Sequence, residues 1–112
     1  FSTSHWHPEE TSALSKRFAR KYKAKFGKLP NDTSVLAYDS MSLLIDLIIR
    51  TPNRSRAGIE EAFRNLKSYS GVTGQFMLSR ERAPLKSLVL LSVNNSKFRV
   101  LDRIEPAQEA KK

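Results

Sequence analysis

Apolar residues recur at every fourth position at Leu14, Phe18, Tyr22 and Phe26, which predicts a helix from about Thr11 to Phe26. Pro8 followed by Glu9 and Glu10 reads as its lead-in, because carboxylates favour the positive end of a helix. Gly27 suits the left-handed position that closes it. After the connector Leu29-Pro30-Asn31-Asp32, a second helix is expected from about Thr33 to Arg50. Its apolar side chains wrap most of the circumference, leaving only Asp39, Ser42, Asp46 and Arg50 as a narrow polar stripe. A helix this apolar asks for cover on several sides. Pro52 stops it.

Ser55 is placed as the N-cap of a shorter helix running to about Leu66, with Ile59, Ala62, Phe63 and Leu66 on its apolar face. Gly71 and Gly74 then punctuate the chain. Thr73 to Leu78 reads as a short strand, Ser79 to Lys86 as a charged loop, and Ser87 to Val93 as a strand of aliphatic residues. Asn94-Asn95-Ser96 is a turn, and Lys97 to Leu101 returns from it, giving a β-hairpin. Residues 1–10 read as a strand end or loop. The fold class is therefore α/β: three helices, a short strand and a C-terminal hairpin. These elements do not alternate as a complete parallel sheet requires, so the over-buried second helix points to a piece of something larger. An opening on Phe1, with no methionine and no basic or apolar leader, leads to the same expectation.

Charge complicates this picture. The formal net charge is +9. Lys16, Arg17, Arg20, Lys21, Lys23, Lys25 and Lys28 form a run without an acid. The expected role of the run is a solvated helix face, not a polyanion site, because the aromatics lie on the apolar stripe and not among the cations. There is no cysteine, which excludes a disulfide framework and cysteine-based metal sites. His5 and His7 form an H-x-H pair, but two histidines alone do not make a zinc site, so no metal is expected. No nucleophile elbow, phosphate loop or dinucleotide fingerprint occurs. Asp39 and Asp46 share a helix face; the simplest role is hydrogen bonding to neighbours or to water, not acid–base catalysis. No enzyme activity and no cofactor are expected. Trp6, the lone tryptophan, lies in a loop between histidines, where an aromatic suits a ligand site or a packed core.

Several motifs now line up. Phe18 to Pro30 (FARKYKAKFGKLP) resembles the F-x-x-x-Y-x-x-x-(Y/F)-G-x-x-P helix of branched-chain amino acid binding proteins. Leu36 to Leu44 (LAYDSMSLL) is similar to their A-Y-D-A helix, and Gly71 to Phe76 (GVTGQF) to their G-V-T-G segment. The strand pair from Leu88 to Ile104 also resembles their C-terminal end. Ser79-Arg80-Glu81-Arg82 stands where a glycine-containing turn is common, and His5-Trp6-His7 matches no consensus string of the family.

The resemblance implies part of a type I periplasmic solute-binding protein, whose two lobes close on a small ligand. Residues 1–104 are then the C-terminal portion of such a domain and 105–112 a flexible tail. The implied partners are a small molecule such as an amino acid, an ABC transporter permease and an upstream lobe of the same protein, with no nucleic acid. The implied location is periplasmic or otherwise extracytoplasmic. By position in the family pattern, the ligand-binding candidates are His5, Trp6 and Thr33. A sensor domain of a receptor with the same fold, and a small basic nucleic-acid-binding protein, are the alternatives. For the isolated chain, the broad apolar surface of the second helix leads us to expect a homodimer.

Overall fold

Three helices and two small antiparallel sheets make up the computed structural model, which describes residues 1–78 and 83–107. The elements are β1 (Ser2–Ser4), α1 (Ala13–Phe26), α2 (Asp32–Arg50), α3 (Arg56–Arg64), β2 (Ser68–Gly71), β3 (Gly74–Leu78), β4 (Pro84–Lys86), β5 (Leu88–Asn94) and β6 (Lys97–Ile104). One sheet has the order β1-β5-β6 and the other β2-β3-β4. The chain thus leaves a sheet at Ser4, builds its helices and a second sheet, and comes back to the first through β5.

Local chemistry explains each helix boundary. Ser12 caps α1 by accepting from the Ser15 N–H at 3.1 Å, and Gly27 closes it at φ 74°. Asn31 caps α2 through the Ser34 N–H at 2.8 Å. Ser55 caps α3 through the Gly58 N–H at 3.1 Å. The first helix therefore begins later than the carboxylates of Glu9 and Glu10 suggest. Those two side chains reach β6 instead: Glu9 lies 3.7 Å from Arg99, and Glu10 pairs with Arg103. A full guanidinium charge at contact outcompetes the partial charge of a helix end. The third helix ends at Arg64, capped by Asn65, and not at Leu66.

The hairpin forms as expected. Asn94 faces Lys97, and both turn residues, Asn95 and Ser96, have positive φ (48° and 61°), the signature of a type I′ turn. A bulge interrupts it: Leu90 faces Asp102 while Leu91 faces Val100, leaving Leu101 over. The Val100 N–H at this irregularity donates to Glu9 Oε2 at 3.1 Å. The strand end expected within residues 1–10 is β1, which pairs with β5. Two further strands escape the pattern reading: β2 pairs with β3, and β4, which carries Pro84, occupies part of the expected charged loop. The rest of that loop, residues 79–82, and tail residues 108–112 lie outside the described residues.

Packing is split into two small clusters. Trp6, Val35 and Val72 form one, backed by Phe18 and Ala19. Leu43, Leu47 and Phe76 form the other, with Ala62, Phe63, Leu66 and Tyr69 against them. One row of α2 (Val35, Asp39, Leu43, Leu47) is buried, but the opposite side is not. Tyr38, Met41, Ile45, Ile48 and Ile49 are all exposed, Ile49 at 66%. The radius of gyration, 16.0 Å, exceeds the roughly 13 Å of a self-contained domain this long, and the thinnest dimension is 19 Å. The molecule is a flat slab with an apolar helix face on its outside.

Candidate functional site

The loop after β1 is tied to the start of α2. Ser4 Oγ accepts from the Trp6 N–H at 3.3 Å and lies 2.9 Å from the Trp6 carbonyl and 3.1 Å from Asp32 Oδ2. These contacts bring the neighbourhood of His5 beside that of Thr33. Thr33 is exposed, and its N–H donates to Asp32 Oδ1 at 2.9 Å. His5 is half-buried, and its Nδ1 is buried without a hydrogen-bond partner among the described residues. Trp6 sits beneath the loop at 3% exposure, its indole N–H donating to Ser15 Oγ at 2.7 Å. That bond satisfies two buried polar groups at once and fixes the loop to α1. A groove of about 330 Å³ opens here, lined among others by Ser4, Trp6, His7, Asn31, Asp32 and Phe98. His5 and Thr33 are not part of that lining. A larger groove, about 690 Å³, lies away from the loop, between α3 and Leu78.

His7, which lines the groove, is held by the loop itself. Its Nδ1 accepts from the Glu9 N–H at 3.2 Å. Among the described residues, no group of three or more His, Asp or Glu comes together in a way that would hold a metal ion.

The most elaborate polar constellation lies elsewhere, and pattern reading placed only one of its members. Asp39, 3% exposed, accepts from the Val72 N–H at 2.7 Å, the Thr73 N–H at 2.9 Å and the Thr73 hydroxyl at 2.6 Å. Val72 and Thr73 are the turn between β2 and β3, where Gly71 faces Gly74. The carboxylate thus satisfies turn N–H groups that no strand partner reaches. Lys86 donates to the Thr73 hydroxyl and lies over the Phe76 ring at 4.8 Å. Burial holds its ammonium below the ordinary value of 10.5; Asp39 opposes that shift, and Arg103 adds to it. Arg103 in turn donates to Ser87 and pairs with Glu10. These contacts run from α2 through both sheets to the loop before α1. Their effect is structural: they tie the β2–β3 turn to α2, and β6 to the loop before α1. The signal that could have revealed them is the position of Asp39 on the same helical row as Val35, Leu43 and Leu47.

Comparisons with known proteins agree with this architecture. The family model for periplasmic binding proteins matches residues 1–97, and the chain belongs to that family. The family is one of solute-binding proteins, not enzymes. A leucine-binding protein from Thermotoga maritima is 30% identical, with a TM-score of 0.79, over 93% of this chain and 30% of that one. The substrate-binding protein of a branched-chain amino acid transporter from Streptococcus pneumoniae, solved with isoleucine, is 28% identical with the same TM-score and coverage. A substrate-binding protein from Desulfitobacterium hafniense, solved with leucine, shares the fold at TM-score 0.81 and 19% identity. This chain spans 30% of the length of each of these three structures. No curated protein sequence matches it.

Proposed function

We propose that the chain is the C-terminal part of a two-lobed, extracytoplasmic binding protein that captures an amino acid or related small carboxylate and delivers it to an ABC transporter permease. The observation that carries this reading is the likeness to the Thermotoga leucine-binding protein, which extends over 93% of the chain in both sequence and fold. The open apolar face of α2 and the flat shape of the slab support it, because both make sense when the remainder of a lobe packs there. The same likeness favours transport over the sensor and nucleic-acid alternatives.

Within this reading His5 and Thr33 face the solute, and Trp6 floors the loop that presents them. The buried, unpartnered Nδ1 of His5 is best left as a bare lone pair, which puts the proton on Nε2 as a donor for a solute carboxylate. Calorimetric titration of the full-length protein with leucine, isoleucine and valine tests this. Binding of at least one is expected, and His5→Ala should weaken it about tenfold, or about 1.4 kcal/mol, without changing the circular dichroism. Failure of all three, and of simple aromatic carboxylates, would remove the proposal. Expressed alone, the chain is expected to self-associate through Met41, Ile45 and Ile49. Light scattering that finds a monomer at high concentration would count against that.

A further inference from the structure

The cations of α1 form a surface that the solute-binding reading does not use. Lys16, Arg17, Arg20, Lys21, Lys23 and Lys25 are all exposed, as is Lys28 just beyond the helix. At 100° per residue the six helical cations spread over roughly 200° of arc, with exposed Leu14 between Lys21 and Lys25. Ser15, Phe18 and Ala19 occupy the remaining side and face the core. Among the described residues, none of the seven cations has a carboxylate partner.

The other helices show that this is not how the protein usually treats a solvated face. Asp46 pairs with Arg50 in α2 at 3.0 Å, and Glu60 with Arg64 in α3 at 2.8 Å, both across one helical turn. α1 instead sets Lys16 against Arg20, Arg17 against Lys21 and Lys21 against Lys25 at that same spacing, where like charges repel. Within the described structure the contact that offsets this repulsion is the Phe26 ring, 5.7 Å from the Lys25 ammonium, and no carboxylate joins it. From Lys23 round to Lys21 the arc carries only alanines between its cations, so there it offers a partner field and not shape; beyond Lys21, exposed Leu14 and Lys25 border a groove shared with Phe18, Tyr22 and Phe26. A diffuse sheet of anions fits it better than a folded acidic protein, which needs a defined contour.

We propose that the outer arc of α1 holds the protein against an anionic phospholipid surface. The docking is independent of which solute is bound. It concentrates the protein at the plane of a membrane, and it weakens with salt as an electrostatic attachment must. The probe is vesicles of phosphatidylglycerol and phosphatidylcholine in equal parts, sedimented with the full-length protein at about 0.1 M salt, against pure phosphatidylcholine. Co-sedimentation with the anionic vesicles alone is expected. It should fall about a hundredfold in Lys16→Gln/Arg20→Gln/Lys23→Gln, at about fivefold per cation. All three side chains are exposed, and glutamine is a good helix former, so the helix is retained. For the parent protein, raising salt to about 0.5 M should release it, which tests the idea without any variant. Equal binding to the neutral vesicles, or a triple variant within about twofold of the parent, overturns the proposal. So does binding to polyglutamate without binding to anionic vesicles, which would assign the arc to an acidic protein instead.

Discussion

Asp39→Ala is expected to lower the unfolding free energy by about 3–5 kcal/mol, the largest effect of any single polar substitution in this chain. The carboxylate accepts two backbone N–H groups and a hydroxyl, all at 2.9 Å or less, at a site closed to water. Removing it leaves the turn N–H groups of Val72 and Thr73 without a partner, and each orphaned buried donor costs about 1–3 kcal/mol. Thr73 can rotate its hydroxyl elsewhere; the two amides cannot move. Asp39→Asn keeps the volume but turns an NH2 toward a donor, so it should recover only part of the loss. Gly71→Ala attacks the same contact from the other side, since a Cβ there would lie 2.5 Å from the Asp39 carboxyl carbon.

Urea denaturation of the full-length protein measures the effect, and an Asp39→Ala midpoint equal to the parent's would refute it. The pH profile gives a second reading. Because burial depresses the Lys86 ammonium below 10.5, the unfolded chain binds more protons in the window between the folded and ordinary values. Stability therefore rises with pH through that window. Asp39 is what opposes the depression. Without it the window extends to lower pH, and the rise should begin earlier in Asp39→Ala than in the parent.

The helices were legible because each carries its own evidence. Leu14 to Phe26 has a clean four-residue period, α2 is too apolar to be anything but a packed helix, and Gly27, Pro52 and Ser55 mark boundaries by backbone chemistry. The β5–β6 hairpin was legible for the same reason. The strand β2 was not: Ser68-Tyr69-Ser70-Gly71 has no apolar alternation, and it exists because β3 and Asp39 give its neighbouring turn somewhere to bond. Nor was β4, whose proline argues against a strand until one sees that it pairs with β3 alone. Glu9 and Glu10 were misassigned because their partners, Arg99 and Arg103, lie far along the chain. The loop carrying His5 and Trp6 was identified from family position. Its closeness to Thr33 rests on the Ser4–Asp32 contact, which no local pattern announces.

Gly58→Ala should destabilise the protein by about 2–3 kcal/mol, although helix propensity alone points the other way. Gly58 lies in the first turn of α3, where alanine normally gains about 0.5–1 kcal/mol over glycine. Here the new methyl carbon would stand 2.0 Å from the Asn53 carbonyl oxygen and 2.9 Å from the carbon behind it. Those are backbone atoms, so no side-chain rotation relieves the clash, and either the α2–α3 connector or the helix must shift. Shifting the helix stretches the 3.1 Å bond from the Gly58 N–H to the Ser55 cap. Shifting the connector pulls Asn53 Oδ1 away from the Ser55 N–H, which it accepts at 3.2 Å. Steric strain plus a weakened cap exceeds the propensity gain in either case. The consequence reaches beyond α3, because Ala62, Phe63 and Leu66 complete the cluster around Leu43, Leu47 and Phe76. Thermal unfolding of Gly58→Ala beside Ala57→Gly decides the point. Ala57 is exposed one position earlier, so its exchange reports propensity alone and should cost about 0.5–1 kcal/mol. If Gly58→Ala instead matches or exceeds the parent in stability, the connector yields freely, and its close approach to α3 is not what holds the third helix in place.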